Sequence, residues 1–219
     1  METSGILDII LGLSDASGKL LDTPETGGLT TNMDFPGLYK FDLRSAKGVT
    51  QANITGLAAT AQKVYGSNAV AEQHVGAISP KVTFVANDME HTVYDALVGL
   101  AKDQFGGYAQ KNSEISQGPA IVHTANSDGT IDLYIGFPLG IFTPGELNIQ
   151  TNTQNPALLH DSITFDAQAR PTDSLLYEKF YSDSKDFDYK NMLAYITGTA
   201  ATSGSSTTPQ KLATDNISK

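Results

Sequence analysis

The chain contains neither cysteine nor tryptophan. Without cysteine there are no disulfides, no thiolate nucleophile and no sulfur-ligated metal. Without tryptophan, a sugar-binding aromatic platform would have to come from tyrosine and phenylalanine alone. Charge is also scarce. Only 17% of residues are charged, and 24 acidic against 14 basic residues give a net charge of -10. No Lys/Arg cluster occurs, so the basic patch that gripping a nucleic acid needs is missing, and any relation to DNA must be non-adhesive. No apolar run approaches the length of a membrane span. The opening "METSGILDIILGLSDASGK" has no basic start, no long apolar core and no small-residue cleavage site. It does not read as a signal peptide, and synthesis and folding in the cytoplasm are expected.

Motifs of chemistry are equally sparse. There is no nucleotide-binding glycine loop and no nucleophile elbow. The four histidines, His74, His91, His123 and His160, lie far apart, and none is spaced with another ligand as strand or helix zinc sites require. Asp183, Asp186 and Asp188 form the densest acidic run, but Lys185 and Lys190 interleave with them. The "NIT" sequon at 53–55 has no secretory context. No enzyme activity, cofactor or metal is expected.

What is present is a chain of 219 residues, 40% hydrophobic and rich in Gly, Thr, Ser, Asn and Ala, a mix suited to β-structure with many turns. The stretch "HTANSDGTIDLYIGF" (123–137) superficially matches a calcium loop. The twelfth position, which must supply a bidentate carboxylate, is Ile135. The flanks alternate as strands do, with Ile131, Leu133, Ile135 and Phe137 on one side and Thr130, Asp132 and Tyr134 on the other. Ser-Asp-Gly between them is hairpin chemistry, with Gly129 free to take a positive φ.

Read along the chain, "ILDIILGL" is an early strand or a docking arm, and residues 1–36 form an N-terminal arm or strand with a loop. A domain of residues 37–198 follows. "GLYKFDLRS" (37–45), "KVTFVAN" (81–87) and "SITFDAQAR" (162–170) read as strands, the last with Ile163, Phe165 and Ala167 on one face. Residues 46–76, Gly/Ala/Thr/Asn-rich and poorly patterned, are expected to form a long loop, either at the surface or ordered against a neighbouring subunit. A helix is expected over 88–103, capped by Asn87 with Glu90, striped by Val93, Leu97, Leu100 and Ala101, and ended by "FGGY". Pro138 and Pro144 argue that 136–147 is not a central strand throughout. A second helix follows Asp188 as N-cap, with Phe187 stapled onto Met192, a buried stripe of Met192, Tyr195 and Ile196, and Gly198 as its stop. The polar, low-complexity segment 199–219 reads as a flexible tail.

In order and pattern, "KVTFVANDMEHTVYDALVGL" (81–100), "GFPLGIFTPGEL" (136–147), "DSITFDAQAR" (161–170) and "DSKDFDYKNMLAYITG" (183–198) resemble the major tail protein of long-tailed, non-contractile phages, the subunit of the tail tube. The resemblance covers about residues 35–198. It implies a mainly β (α+β) fold, an antiparallel β-sandwich with one flanking helix and a C-terminal helix, whose inner strands join those of its neighbours into a barrel. It also implies hexameric rings stacked on a tape-measure protein, between tail-tip and tail-terminator proteins, as a conduit for DNA ejection in the virion. DNA would pass without specific binding, no membrane would be involved, and assembly would take place in the host cytoplasm. A long loop and terminal arms would bridge the rings, which points to Val49, Asn53, Ile54, Leu57, Val64 and Tyr65 as candidate inter-ring residues. Thr130, Asp132, Thr164 and Asp166, on the faces opposite the apolar ones, are candidates for lining the channel, where acidic walls would repel phosphate. The alternative reading is a β-sandwich module that binds a carbohydrate or receptor through exposed aromatics. A small hydrolase with a site assembled by folding is a third, for which no convergent polar set is visible.

Overall fold

A computed structural model of the chain describes residues 2–59, 61–66, 68–110, 115–147, 149 and 160–199. The expected tail at 199–219 lies outside these residues apart from Thr199. In chain order the strands are β1 (Thr3–Gly12), β2 (Leu38–Phe41), β3 (Val49–Thr55), β4 (Ala61–Gly66), β5 (Ala69–Val75), β6 (Lys81–Ala86), β7 (Leu100–Lys102), β8 (Tyr108–Gln110), β9 (Gln117–Asn126), β10 (Asp132–Pro144), β11 (Asp161–Ala167) and β12 (Glu178–Tyr181). Helix α1 (His91–Leu97) lies between β6 and β7, and α2 (Tyr189–Ile196) follows β12. The main sheet runs β2-β1-β9-β10-β11-β6-β3, with β12 added to β10. Its pairings are antiparallel throughout. The fold is mainly antiparallel β, as expected.

The sheet rolls until β3 approaches β1, and its two halves face each other across one core. Ile9, Leu11, Phe41, Val82, Phe84, Val122, Phe137 and Phe165 fill that core, and Val93 and Leu97 of α1 close it. Phe165 is its hub, with ring centroids 5.0 Å from Phe142, 5.8 Å from Phe137 and 6.3 Å from Phe84. Each such aromatic pair adds roughly 0.5–1.5 kcal/mol beyond the area it buries. A second core lies on the outer face, where Ile10, Leu38, Ile121 and Tyr134 pack under Met192, Leu193 and Ile196 of α2. The strands β1, β9 and β10 are therefore covered on both sides. This explains why Ile9, Ile10 and Leu11 are consecutive and all buried.

Several expectations change. Tyr134, expected to face away, is 8% exposed, because α2 covers the outer face of β10. Helix α1 is shorter than 88–103: it starts at His91 with Glu90 as N-cap and ends at Leu97, followed by Gly99 at φ 79. Asn87 does not cap it; its amide donates to the Lys47 carbonyl at 2.9 Å instead. Leu100 and Ala101 belong to β7, which pairs with β8 in a separate hairpin. Residues 46–76 are not a loop. They supply β3, an edge strand of the main sheet, and the separate β4–β5 hairpin. The strands were hard to read because β3 carries a register shift and β5 is exposed at every position, so no apolar alternation marks them.

The prolines fit the expectation that 136–147 is not a central strand throughout. β9 pairs with Asp132–Ile141 on one side of β10; on the other, β12 pairs with Leu133–Gly136 and β11 with Gly140–Pro144, so Pro144 lies where the β9 ladder has ended. Pro138 falls in the gap between the two ladders, where the β9 register also shifts. Its missing N–H therefore costs no ladder hydrogen bond.

The second helix is built as expected at both ends. The Asp188 side chain accepts from the Asn191 N–H at 2.8 Å, Phe187 packs with Met192 in the second core, and Gly198 takes φ 68 just past the end. The hairpin at 123–137 also forms. The Asn126 carboxamide oxygen accepts from the Thr130 and Ile131 N–H groups, and Gly129 sits at φ 67.

Candidate assembly surfaces

Among the described residues no group of three or more His, Cys, Asp or Glu is placed to hold a metal ion. What the fold leaves unfinished is backbone edges and apolar surface. The sheet ends at β2 and β3. β2 is short and pairs only Ile9–Gly12 of β1, so the N-terminal part of β1 is held on its β9 side alone. Exposed edges of this kind are templates for pairing with another chain.

The β4–β5 hairpin is the largest departure from self-sufficiency. It pairs with no strand of the main sheet, and Val64, Tyr65, Val70 and Val75 stand 46–70% exposed along it. Ile78 continues the apolar surface beyond it. A lone two-stranded hairpin is marginal in water. A side-chain ion pair on it, Glu72 with His74 at 3.0 Å, is surface-exposed and adds little. A second apolar knob, Phe105, is 86% exposed at the tip of the β7–β8 hairpin, where Asp103 accepts from the Phe105 and Gly107 N–H groups.

The residues singled out in the sequence divide between these places. Val49, Ile54 and Leu57 are half-buried against the main core, and Asn53 points outward from β3. Only Val64 and Tyr65 lie on the free hairpin. Thr130 is exposed in the β9–β10 turn, and Asn126 donates to its hydroxyl. Thr164 and Asp166 stand half-exposed on the outer side of β11, with Asp166 3.4 Å from the Lys81 ammonium. Asp132 is engaged elsewhere: its carboxylate lies 3.3 Å from His123 Nε2.

That histidine was not distinguished in the sequence from the other three. It is held by two carboxylates. Asp8 of β1 meets Nδ1 at 3.0 Å, and its ring stacks on Tyr134 with centroids 4.2 Å apart. Tyr134 in turn stacks on Phe187. Burial pushes the His123 pKa down, and Asp8 and then Asp132 more than offset this, so the net displacement is upward. A pairing of β1 with β9 that sets Asp8 opposite His123 is a long-range event, and no local pattern announces it.

Arg170 is the other functional-looking residue that sequence reasoning passed over. Its side chain is 3% exposed. It donates to the Tyr195 and Ile196 carbonyls at 2.8 and 3.1 Å and pairs with Asp173 at 2.5 Å. It closes the carboxyl end of α2 and locks the helix onto the outer face of the sheet, a structural role.

A family model described as phage tail tube protein matches residues 1–205. Among curated proteins no match is found.

Proposed function

The chain belongs to the phage tail tube protein family, and from that premise we propose that it closes into rings, six to a turn, which stack into the conduit through which DNA is ejected. As a member of this family it is a structural component of the virion tail that self-assembles into the tube with other tail components, and it is not an enzyme. The tape-measure, tail-tip and tail-terminator proteins are the proposed contacts, with assembly in the host cytoplasm before incorporation into the virion.

The observation that carries this reading is the β4–β5 hairpin, which exposes Val64, Tyr65, Val70 and Val75 and, among the described residues, pairs with no strand of the main sheet. Such an element gains stability only against another surface. In the proposed tube it rests on a subunit of the adjacent ring, with Val64 and Tyr65 in the contact. Val49, Asn53, Ile54 and Leu57 stiffen the edge from which it springs. The free edges of β2 and β3 are the proposed ring seams, since ring closure removes an edge by pairing it. Thr130, Asp132, Thr164 and Asp166 are proposed to face the channel, Asp132 while its carboxylate also lies against His123. The acidic balance of the chain fits a wall along which a duplex slides without adhering.

A carbohydrate- or receptor-binding module gains nothing from the geometry. The two most exposed aromatics, Tyr65 and Phe105, stand on different hairpins, while Phe41, Phe84, Phe137 and Phe165 are buried. The test is electron microscopy of the purified full chain beside a variant in which 61–75 is replaced by a short Gly-Ser turn, with circular dichroism on both. The full chain is expected to form rings or hollow tubes at high concentration, and the variant to stay folded and unstacked. Tubes of equal length from the variant would overturn the role given to the hairpin. Failure of the full chain to associate, even in the presence of tail-tip components, would overturn the tube reading itself.

A further inference from the structure

His123 lies where the N-terminal half of β1 meets β9, a junction also tied by Thr124 donating to the Gly5 carbonyl, by the Ser127 N–H donating to the Glu2 carbonyl and by Ile6 packing on the main core. The N-terminal half of β1 is irregular: the β9 register shifts between Thr3 and Ile6 and again between Ile6 and Asp8, and Gly5 sits at φ 67. β2 does not reach it. The ladder becomes regular from Asp8 onward, and Asp8 lies directly opposite His123. The Asp8 side chain is only 14% exposed, and its Oδ1 is buried without a hydrogen-bond partner, so among the described residues its side-chain hydrogen bond goes to His123 Nδ1. Asp132 Oδ1, 3.3 Å from Nε2, attracts the ring by charge without the alignment of a hydrogen bond.

We propose that His123 is a proton-controlled latch: charged, it bridges Asp8 and Asp132 and pins residues Thr3–Asp8 onto β9, and neutral, it lets that half of the strand loosen. The chemistry follows from donor counting. An imidazolium donates its Nδ1–H to Asp8 and holds Asp132 by its positive charge; a neutral ring keeps one N–H and no charge, so it cannot hold both carboxylates. If the proton stays on Nδ1, the Nε2 lone pair faces the Asp132 carboxylate. If it stays on Nε2, Asp8 loses its only partner in a buried setting. Both outcomes weaken the bridge.

The charged and titratable groups facing the ring are Asp8 from β1, Asp132 and Tyr134 from β10, and Tyr189 from α2. Burial, more than the neighbouring carboxylates, raises both tyrosines, which stay protonated across the neutral range. Histidine is the one side chain here whose ordinary titration falls in that range. The sign is fixed by the upward displacement of His123. The latch is closed below the unfolded histidine value of about 6.5 and opens as pH rises through the higher folded value.

The latch concerns the isolated subunit and does not require the tube. Its test is hydrogen–deuterium exchange of the full, unassembled chain between about pH 5.5 and 8.5, corrected for the intrinsic pH dependence of exchange, with the wild type beside His123→Gln. Protection of the Thr3–Leu7 amides is expected to fall roughly tenfold across that range, the loss expected on weakening a charge-assisted hydrogen bond. Protection of β6 should hold, and His123→Gln should show no such fall. Unchanged protection in the wild type, or an equal fall in the variant, overturns the proposal. Should the variant not fold, the ring nitrogen shifts of wild-type His123 decide the matter. A midpoint above the ordinary histidine value, coinciding with the exchange change, supports the latch, and one at or below that value overturns it.

Discussion

Replacing Arg170 with alanine is expected to loosen α2 without disturbing the main core. The guanidinium is 3% exposed and makes hydrogen bonds to the Tyr195 and Ile196 carbonyls and a pair with Asp173. Removing it leaves two helix-end carbonyls without this donor and a carboxylate without its cation. Breaking a buried pair by deleting one partner costs roughly 3–5 kcal/mol. Asp173 is 24% exposed and can recover some hydration, which places the expected loss near the lower end, about 3 kcal/mol. For a chain of this size that is a fall in Tm of roughly 6–12 °C. The assay is urea and thermal unfolding of the unassembled protein. Arg170→Lys should recover little, because one ammonium cannot reach both carbonyls and hold a forked carboxylate. A loss below about 1 kcal/mol, the scale of a surface ion pair, would refute the reasoning and mean that α2 is held by its apolar face alone.

Two further outcomes follow from the same contacts. Gly140→Ala would place a methyl 2.3 Å from the Phe165 ring and 2.8 Å from the Asp166 carbonyl. Overpacking at the hub of the core is expected to cost roughly 1–3 kcal/mol in urea unfolding. Asp173→Asn should be less stable than the wild type at neutral pH, and the gap should close in acid. The Arg170 hydrogen bond, more than any other factor, holds the Asp173 pKa below its usual value. A depressed carboxylate contributes stability above its unfolded value of about 3.9 and loses it as pH falls through the folded value. The two proteins should therefore converge as pH falls through that folded value, and a gap that stays constant through the acid limb would show that the pair carries none of this stability.

The sequence alone determined the elements whose signal is local. The Ser-Asp-Gly turn, the alternation of Ile163, Phe165 and Ala167, and the Asp188 cap with Gly198 behind it each depend on neighbours a few residues away, and each appears where the pattern put it. The order of those elements was also sufficient to suggest the tail-tube family, because order along a chain survives when individual motifs do not. Tertiary structure decided the rest. Tyr134 is buried because α2, far along the chain, covers it with Met192, Leu193 and Ile196, and strand alternation cannot register a cover on the second face. Pro138 is harmless because two partner strands happen to part around it. The hairpin within 46–76 shows no alternation of buried and exposed positions, since Ala61–Tyr65 and Ala69–Val75 are all exposed. His123 acquires its two carboxylates, and Arg170 its two carbonyls, only when segments distant in sequence are brought together. In each case the deciding interaction is long-range, and its free energy is written in the packing of the whole sheet and not in any window of residues.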